Sequence, residues 1–225
     1  MSTINSNVLC LPQNRVGRDF VVGDTGGAYD LLLQSMRSAG FEPSRDRIFS
    51  VGHLLAGECS LTDCIRFLRM PSVFAVRTNS EQDLLDLFSD GPPDEESIRA
   101  LNELPFHDMG WLAKVGYQQR MQLVSAMRML PVAISIGNGV ARTGFVHDSV
   151  PEGKGWGDFL GGLQEDAENC LMAAMRGIGR SAMIVEGVER MFVCYTPDWA
   201  GTERPANAVS VAPGSALYLV EDMGT

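Results

Sequence analysis

Asp19-Phe20-Val21-Val22-Gly23-Asp24-Thr25-Gly26-Gly27 is a short apolar run that ends in an acidic, glycine-rich turn. That is the pattern of a buried strand handing over to a helix. Residues 28–39 complete the unit: Leu31, Leu32, Met36 and Ala39 recur at helical spacing, and Gly40 offers a left-handed terminus. Residues 48–55 repeat the strand signal. Ser60 then caps a helix running to about Met70, with Leu61, Cys64, Ile65 and Leu68 on one face. Residues 73–76 form a third strand, and Arg77-Thr78-Asn79-Ser80-Glu81 stands where that strand meets a helix over 81–88.

Ser89-Asp90-Gly91-Pro92-Pro93-Asp94 breaks the pattern. Helical segments over 95–104 and 117–130 follow, so about 89–130 reads as a helical insertion over the sheet. After Pro131 the texture is strand-like at 132–136 and 141–147, separated by Gly137-Asn138-Gly139, a strong hairpin signal. Helices are expected at 156–163 and 167–176, and strands at 191–196, 208–212 and 216–221. Strands alternating with helices early and hairpins late imply an α/β fold, a layered sandwich of mixed β-sheets flanked by helices. One domain over 1–225 is expected, with 1–16 as an N-terminal extension.

The 225 residues are 45% hydrophobic and 20% charged, which suits a folded chain with a sizeable core. The net charge of −10 repels phosphate backbones, and the arginines are dispersed along the sequence, so nucleic acid is not an expected partner. No apolar run approaches the ~20 residues of a membrane span, and residues 1–14 lack the features of a signal peptide. A cytoplasmic protein is expected. Cys10, Cys59, Cys64, Cys170 and Cys194 form no metal-like cluster and read as reduced thiols.

Taken with Val51-Gly52-His53, Val146-His147 and Cys194-Tyr195-Thr196-Pro197, the two strand-end motifs resemble the scaffold of bacterial or phage PPP-type serine/threonine phosphatases, in the calcineurin-like metallophosphoesterase superfamily. The resemblance spans about Gly17 to Glu221 and rests on the order and spacing of the motifs. It implies that strand ends present Asp, His, Asp, Asn, His and His to two metal ions, which hold phosphate and activate a bridging water. Asp24, Asn79 and His147 match that set. Gly26 stands where the family has a histidine ligand, His53 where it has the bridging aspartate, and Val193-Cys194-Tyr195 where it has a histidine pair. Ala56-Gly57 replaces an Asp-Arg pair, and Ser80 replaces the general-acid histidine. A serine hydroxyl titrates too high to protonate a leaving alcohol at neutral pH.

The candidate metal set is therefore vestigial: Asp24, His53, Asn79 and His147, with Arg77 and Arg176 as candidate phosphate contacts. Each has a plainer role. Asp24 caps turn amides as readily as it ligates; Arg77 suits a structural ion pair; Glu81 suits the first turn of its helix. No catalytic residue is assigned and no cofactor is expected, with one manganese or zinc ion as the alternative. The expected function is that of an inactive pseudophosphatase binding another protein. The alternatives are a residual single-metal phosphoesterase and a non-hydrolysing phosphate- or nucleotide-binding module.

Overall fold

The computed structural model describes residues 3–5, 7–55, 60–103, 109–139, 141–165, 168–177, 183–194 and 205–223. In chain order the elements are β1 (Thr3–Asn5), β2 (Val8–Leu11), β3 (Asp19–Val22), α1 (Tyr29–Ser38), β4 (Arg47–Ser50), α2 (Leu61–Leu68), β5 (Val73–Ala75), α3 (Asn79–Leu87) and α4 (Glu95–Glu103). A 3-10 turn (Gly110–Lys114) follows, then α5 (Tyr117–Arg128), β6 (Ala133–Ile136), β7 (Thr143–Val146), α6 (Trp156–Gln164), α7 (Glu168–Arg176), β8 (Arg190–Cys194), β9 (Ala208–Val211) and β10 (Tyr218–Leu219). No helix among the described residues is long and apolar enough to cross a membrane.

The strands form two mixed sheets, one of six in the order β1-β2-β6-β7-β8-β9 and one of four in the order β10-β3-β4-β5. Period-2 alternation sends Phe20, Val22 and Ile48 to one side of the smaller sheet, into a core built with α1 to α5, and Val21 and Phe49 to the other. The larger sheet sorts its residues likewise: Val146, Met191 and Val193 pack under α6 and α7, whereas Ile134, Phe145 and Phe192 face the smaller sheet. The layered α/β sandwich expected from the pattern is what forms. Four rings run through its centre as a column, Phe74, Phe49, Phe145 and Phe192, with successive centroids 5.4, 4.3 and 5.3 Å apart and planes 16–17° from parallel. Two come from each sheet, so the column joins the layers.

Sequence and structure differ at particular places. The first sixteen residues contribute β1 and β2, and β2 lies parallel to β6 inside the larger sheet. β10 keeps only Tyr218–Leu219 of the strand expected over 216–221. Trp156 is fully buried at the head of α6, with its indole N–H donated to Ser135 Oγ at 3.1 Å. The indole lies where a Cβ on Gly144 would be, 2.6 Å from the nearest ring atom, so β7 needs glycine there. Trp111 is half-buried and donates to the Leu55 carbonyl, while Trp199 and Cys59 lie outside the described residues.

At the opposite end of the smaller sheet, Asp46 is 2% exposed and accepts from the Arg18 amide, the Arg18 guanidinium and the Glu42 amide. Burial alone would raise its carboxyl pKa, but the Arg18 side chain and these amides outweigh it and hold the group at about 2.

Two predictions follow from the packing and this ion pair. Truncating Phe145→Ala removes the middle of the column and should cost about 3–5 kcal/mol in urea unfolding, more than truncating half-buried Phe74. Asp46 has a folded pKa below its unfolded value, so its stabilisation is complete above about pH 4 and fades as pH falls toward 2. The stability gap between wild type and Asp46→Asn should be widest above pH 4 and close below it.

Candidate functional site

β3, β4 and β5 are parallel, so their C-terminal ends open on one edge and deliver Asp24, His53 and the Arg77-to-Glu81 motif side by side. From the other sheet, β7 ends at Val146 and delivers His147, whose Nδ1–H donates to the Val51 carbonyl at 2.7 Å. β8 ends at Cys194, whose amide donates to the His147 carbonyl. The loops touch closely. A Cβ on Gly52 would fall 2.1 Å from the Asp24 amide nitrogen, so only glycine lets the β4 end slide under the β3 turn.

His53 is the hub. Its Nδ1 lies 3.0 Å from both Thr78 Oγ1 and Ser80 Oγ, and its ring meets that of His147 edge-on at 4.6 Å between centroids. Thr78 Oγ1 donates its proton to the Glu81 carboxylate. Its oxygen is left to accept from His53 Nδ1–H, which fixes the tautomer. Glu81 is fully buried and also accepts from the amides of Leu54 and Thr78, at 3.1 and 3.0 Å. The chain of bonds thus runs from Glu81 through Thr78 to His53, tying the β4 loop to the start of α3.

Burial governs the electrostatics. It pushes the Glu81 and Asp24 carboxyls up, against hydrogen bonds from Thr78 and Leu54 in one case and from the Gly26 amide in the other. Burial and the neighbouring His53 lower His147 to about 4, so it is neutral and keeps Nε2 as an acceptor. Burial and the Asp24 charge raise the Cys194 thiol to about 12, which makes it an unreactive packing group beside Asp24.

The structure gathers Asp24, His53, Asn79 and His147 around these strand ends but gives the two arginines other work. Arg77 donates to Asn7 Oδ1 at 2.6 Å, and Asn7 in turn donates to the Leu163 carbonyl. Arg176 is ion-paired to Asp83, one turn along α3 from Asn79. Gly26 adopts φ +55° and Gly27 φ +76°, a left-handed turn that glycine enters without steric cost. Val193 packs in the core beneath α6 and α7, so Cys194 is the β8 residue at the site. Ala56, Gly57, Tyr195, Thr196 and Pro197 lie outside the described residues. The sequence reading missed Thr78, although its spacing to Glu81 is that of a capping box.

Among the described residues the donors differ from the two-ion set that the resemblance implies: His53 stands where that set has a bridging carboxylate, with Nδ1 engaged by Thr78 and Ser80, and the oxygens of Glu81 are taken up by internal donors. Among the described residues no three His, Cys, Asp or Glu side chains converge as a donor set. Asn79 Oδ1 is, among the described residues, a buried atom with no hydrogen-bond partner, as are the hydroxyl oxygens of Thr25 and Ser50.

No family model matches the chain. A 67-residue stretch is 37% identical to serine/threonine-protein phosphatase 1 of Salmonella typhimurium, covering 30% of this chain and 31% of that protein. Over 192 residues the chain is 27% identical to the symmetrical bis(5'-nucleosyl)-tetraphosphatase of Shigella dysenteriae, covering 78% of this chain and 65% of the relative. The matches therefore span from about a third to just under two thirds of these relatives. A solved structure assigned as a diadenosine tetraphosphatase superposes with a TM-score of 0.52 at 17% identity, covering 92% of this chain and 87% of that one. A serine/threonine phosphatase from Saccharomyces cerevisiae gives 0.58 at 14%, covering 93% and 71%. The chain has the fold of these phosphatases.

The bond network makes Thr78 the costliest polar position of the site. Thr78→Val strips a donor from a buried carboxylate and an acceptor from His53, and should cost about 2–3 kcal/mol. Ser80→Ala removes one of two contacts to the same imidazole and should cost under about 1 kcal/mol. Urea unfolding of the two variants measures the difference.

Proposed function

We propose that this chain is a non-hydrolysing scaffold of the metallophosphoesterase fold, a pseudophosphatase that acts by binding another protein. The observation that carries the reading is the chemistry of His53. The resemblance puts the bridging carboxylate of the family's metal pair at this position, and an imidazole bonded through Nδ1 to Thr78 and Ser80 has only Nε2 to offer an ion, one lone pair where a bridge needs two. Further support comes from the occupied arginines. Arg77 and Arg176, the candidates for holding a phosphate, are bonded to Asn7 and Asp83, which also argues against a phosphate- or nucleotide-binding module built on them. Ser80, at the position of the family's general acid, is buried against His53 and offers no group that titrates near neutral pH.

One observation favours a second reading. Asn79 Oδ1 has no hydrogen-bond partner among the described residues, and the bond from His147 Nδ1–H to Val51 leaves Nε2 as an acceptor; with Asp24 and His53 at neighbouring strand ends, these are a start toward one divalent ion such as manganese or zinc. That reading is a residual phosphoesterase. Its relatives' names point to phosphoprotein or dinucleoside tetraphosphate as substrates to try.

The two readings separate in one assay. With manganese or zinc present, the chain should release no phosphate from p-nitrophenyl phosphate or a phosphoserine peptide, and no adenosine diphosphate from diadenosine tetraphosphate, above a buffer control. Robust turnover that disappears in Asn79→Ala and His147→Ala would overturn the scaffold reading and establish the second.

A further inference from the structure

The end of the smaller sheet where β3 and β4 begin lies away from Asp24 and His53, and arginines dispersed in the sequence meet there. Arg15, Arg18, Arg45 and Arg47 line two adjoining clefts of about 420 and 610 Å³, which share Asn14, Arg15 and Val16. Three carboxylates stand among them. Arg18 pairs with Asp46 and Arg47 with Asp19, both at 2.6 Å, and Glu42 lies 3.8 Å from Arg45. Arg15 is exposed and has no ion pair among the described residues. Four guanidiniums against three carboxylates leave one positive charge in excess, in a chain whose net charge is −10.

The larger cleft is the more one-sided. Its wall runs from Pro12 to Val16 after β2, takes Arg47 from the start of β4, and closes on Gly137 and Asn138 of the β6–β7 hairpin, with no carboxylate among these residues. Arg47 is turned to Asp19 and the Pro12 carbonyl, so the charge left to a ligand is that of Arg15. The loop that carries Arg15 is built in advance. Asn14 Oδ1 accepts from the amides of Val16 and Gly17, its Nδ2 donates to the Arg45 carbonyl at 2.9 Å, and Arg45 Nε donates to the Val16 carbonyl at 2.8 Å. A Cβ on Gly17 would fall 2.1 Å from the same Arg45 carbonyl oxygen, so the two backbones touch. Val16 is held 67% exposed beside Arg15. A wall fixed before binding loses little order when a ligand arrives.

We propose that this cleft receives a carboxylate side chain from an acidic segment of the partner protein, with Arg15 as the group that grips it. The inference rests on the scaffold reading and names the chemistry of its partner. A guanidinium meets a carboxylate through two parallel N–H bonds, the amides of Gln13 and Asn138 add neutral donors in the same wall, and Pro12 and Val16 offer apolar area beside them. One positive charge in excess balances one carboxylate. A phosphate group, at about −1.5 to −2, would stay partly unbalanced, and a polyanion such as nucleic acid would meet the repulsion of the whole chain. The larger cleft has the volume of pockets that take a small ligand or a few residues.

The test uses the full chain at low salt, observed by NMR at the side-chain amides of Gln13 and Asn138. A tetraglutamate peptide blocked at both ends should give saturable shifts at both amides, and the blocked tetraglutamine peptide none. Arg15→Gln, at an exposed position without an ion pair, should weaken binding at least about fivefold with the melting transition intact. Asn138→Asp places a carboxylate in the wall and keeps the hairpin, because Asp-Gly serves such a turn as Asn-Gly does; it should weaken binding as much. Arg128→Gln removes the same charge from the exposed side of α5 and should leave the affinity within about twofold. Equal affinity in wild type, Arg15→Gln and Asn138→Asp would overturn the proposal, as would an equal loss in Arg128→Gln, which marks an effect of net charge alone. Shifts from inorganic phosphate at lower concentration than from the peptide would overturn it too. Turnover in the phosphatase assay bears on the scaffold reading by itself; absent turnover with absent peptide binding sinks only this inference.

Discussion

Glu81 is a carboxylate with no access to water, and much of the strand-end geometry exists to make that tolerable. Its three donors come from two different loops, the β4 end through Leu54 and the α3 start through Thr78. Satisfying one group therefore fixes the spacing of two segments. Once Thr78 has given its proton to Glu81, His53 has one tautomer and one orientation available, and through ring contact that orientation limits His147. A single desolvated charge thus sets the polar order of the whole edge.

The sheets supply the frame on which this order is possible. Parallel β3, β4 and β5 bring their ends to one edge, and the phenylalanine column holds the second sheet at the distance that lets His147 reach Val51. Gly52 then brings the β4 loop into backbone contact with Asp24. The edge is consequently held by backbone contact as well as by side-chain bonds.

The fold was legible because its units are local. The run from Asp19 to Val22, the helix it feeds and the hairpin at Gly137-Asn138-Gly139 all announce themselves through periodicity and turn residues. β1 and β2 did not, because Val8–Leu11 is a run of four residues whose strand character comes from pairing with distant β6. The positions of Asp24, His53, Asn79 and His147 could be read from motif order, whereas the occupation of Arg77 and Arg176 could not. Their partners, Asn7 and Asp83, lie 70 and 93 residues away, and nothing in a linear pattern marks such pairs. The burial of Trp156 is not legible in the sequence, because only the tertiary fold shows that Gly144 leaves room for its ring.

The turn at Gly26 sets how open this loop is to substitution. A side chain there would enter open space, so nothing around it objects, yet the backbone sits at φ +55° beside a second glycine at +76°. Position 26 therefore opposes a larger residue only through the moderate cost of a left-handed φ, which asparagine, aspartate and histidine bear better than most, whereas at Gly52 the backbone of Asp24 itself stands in the way.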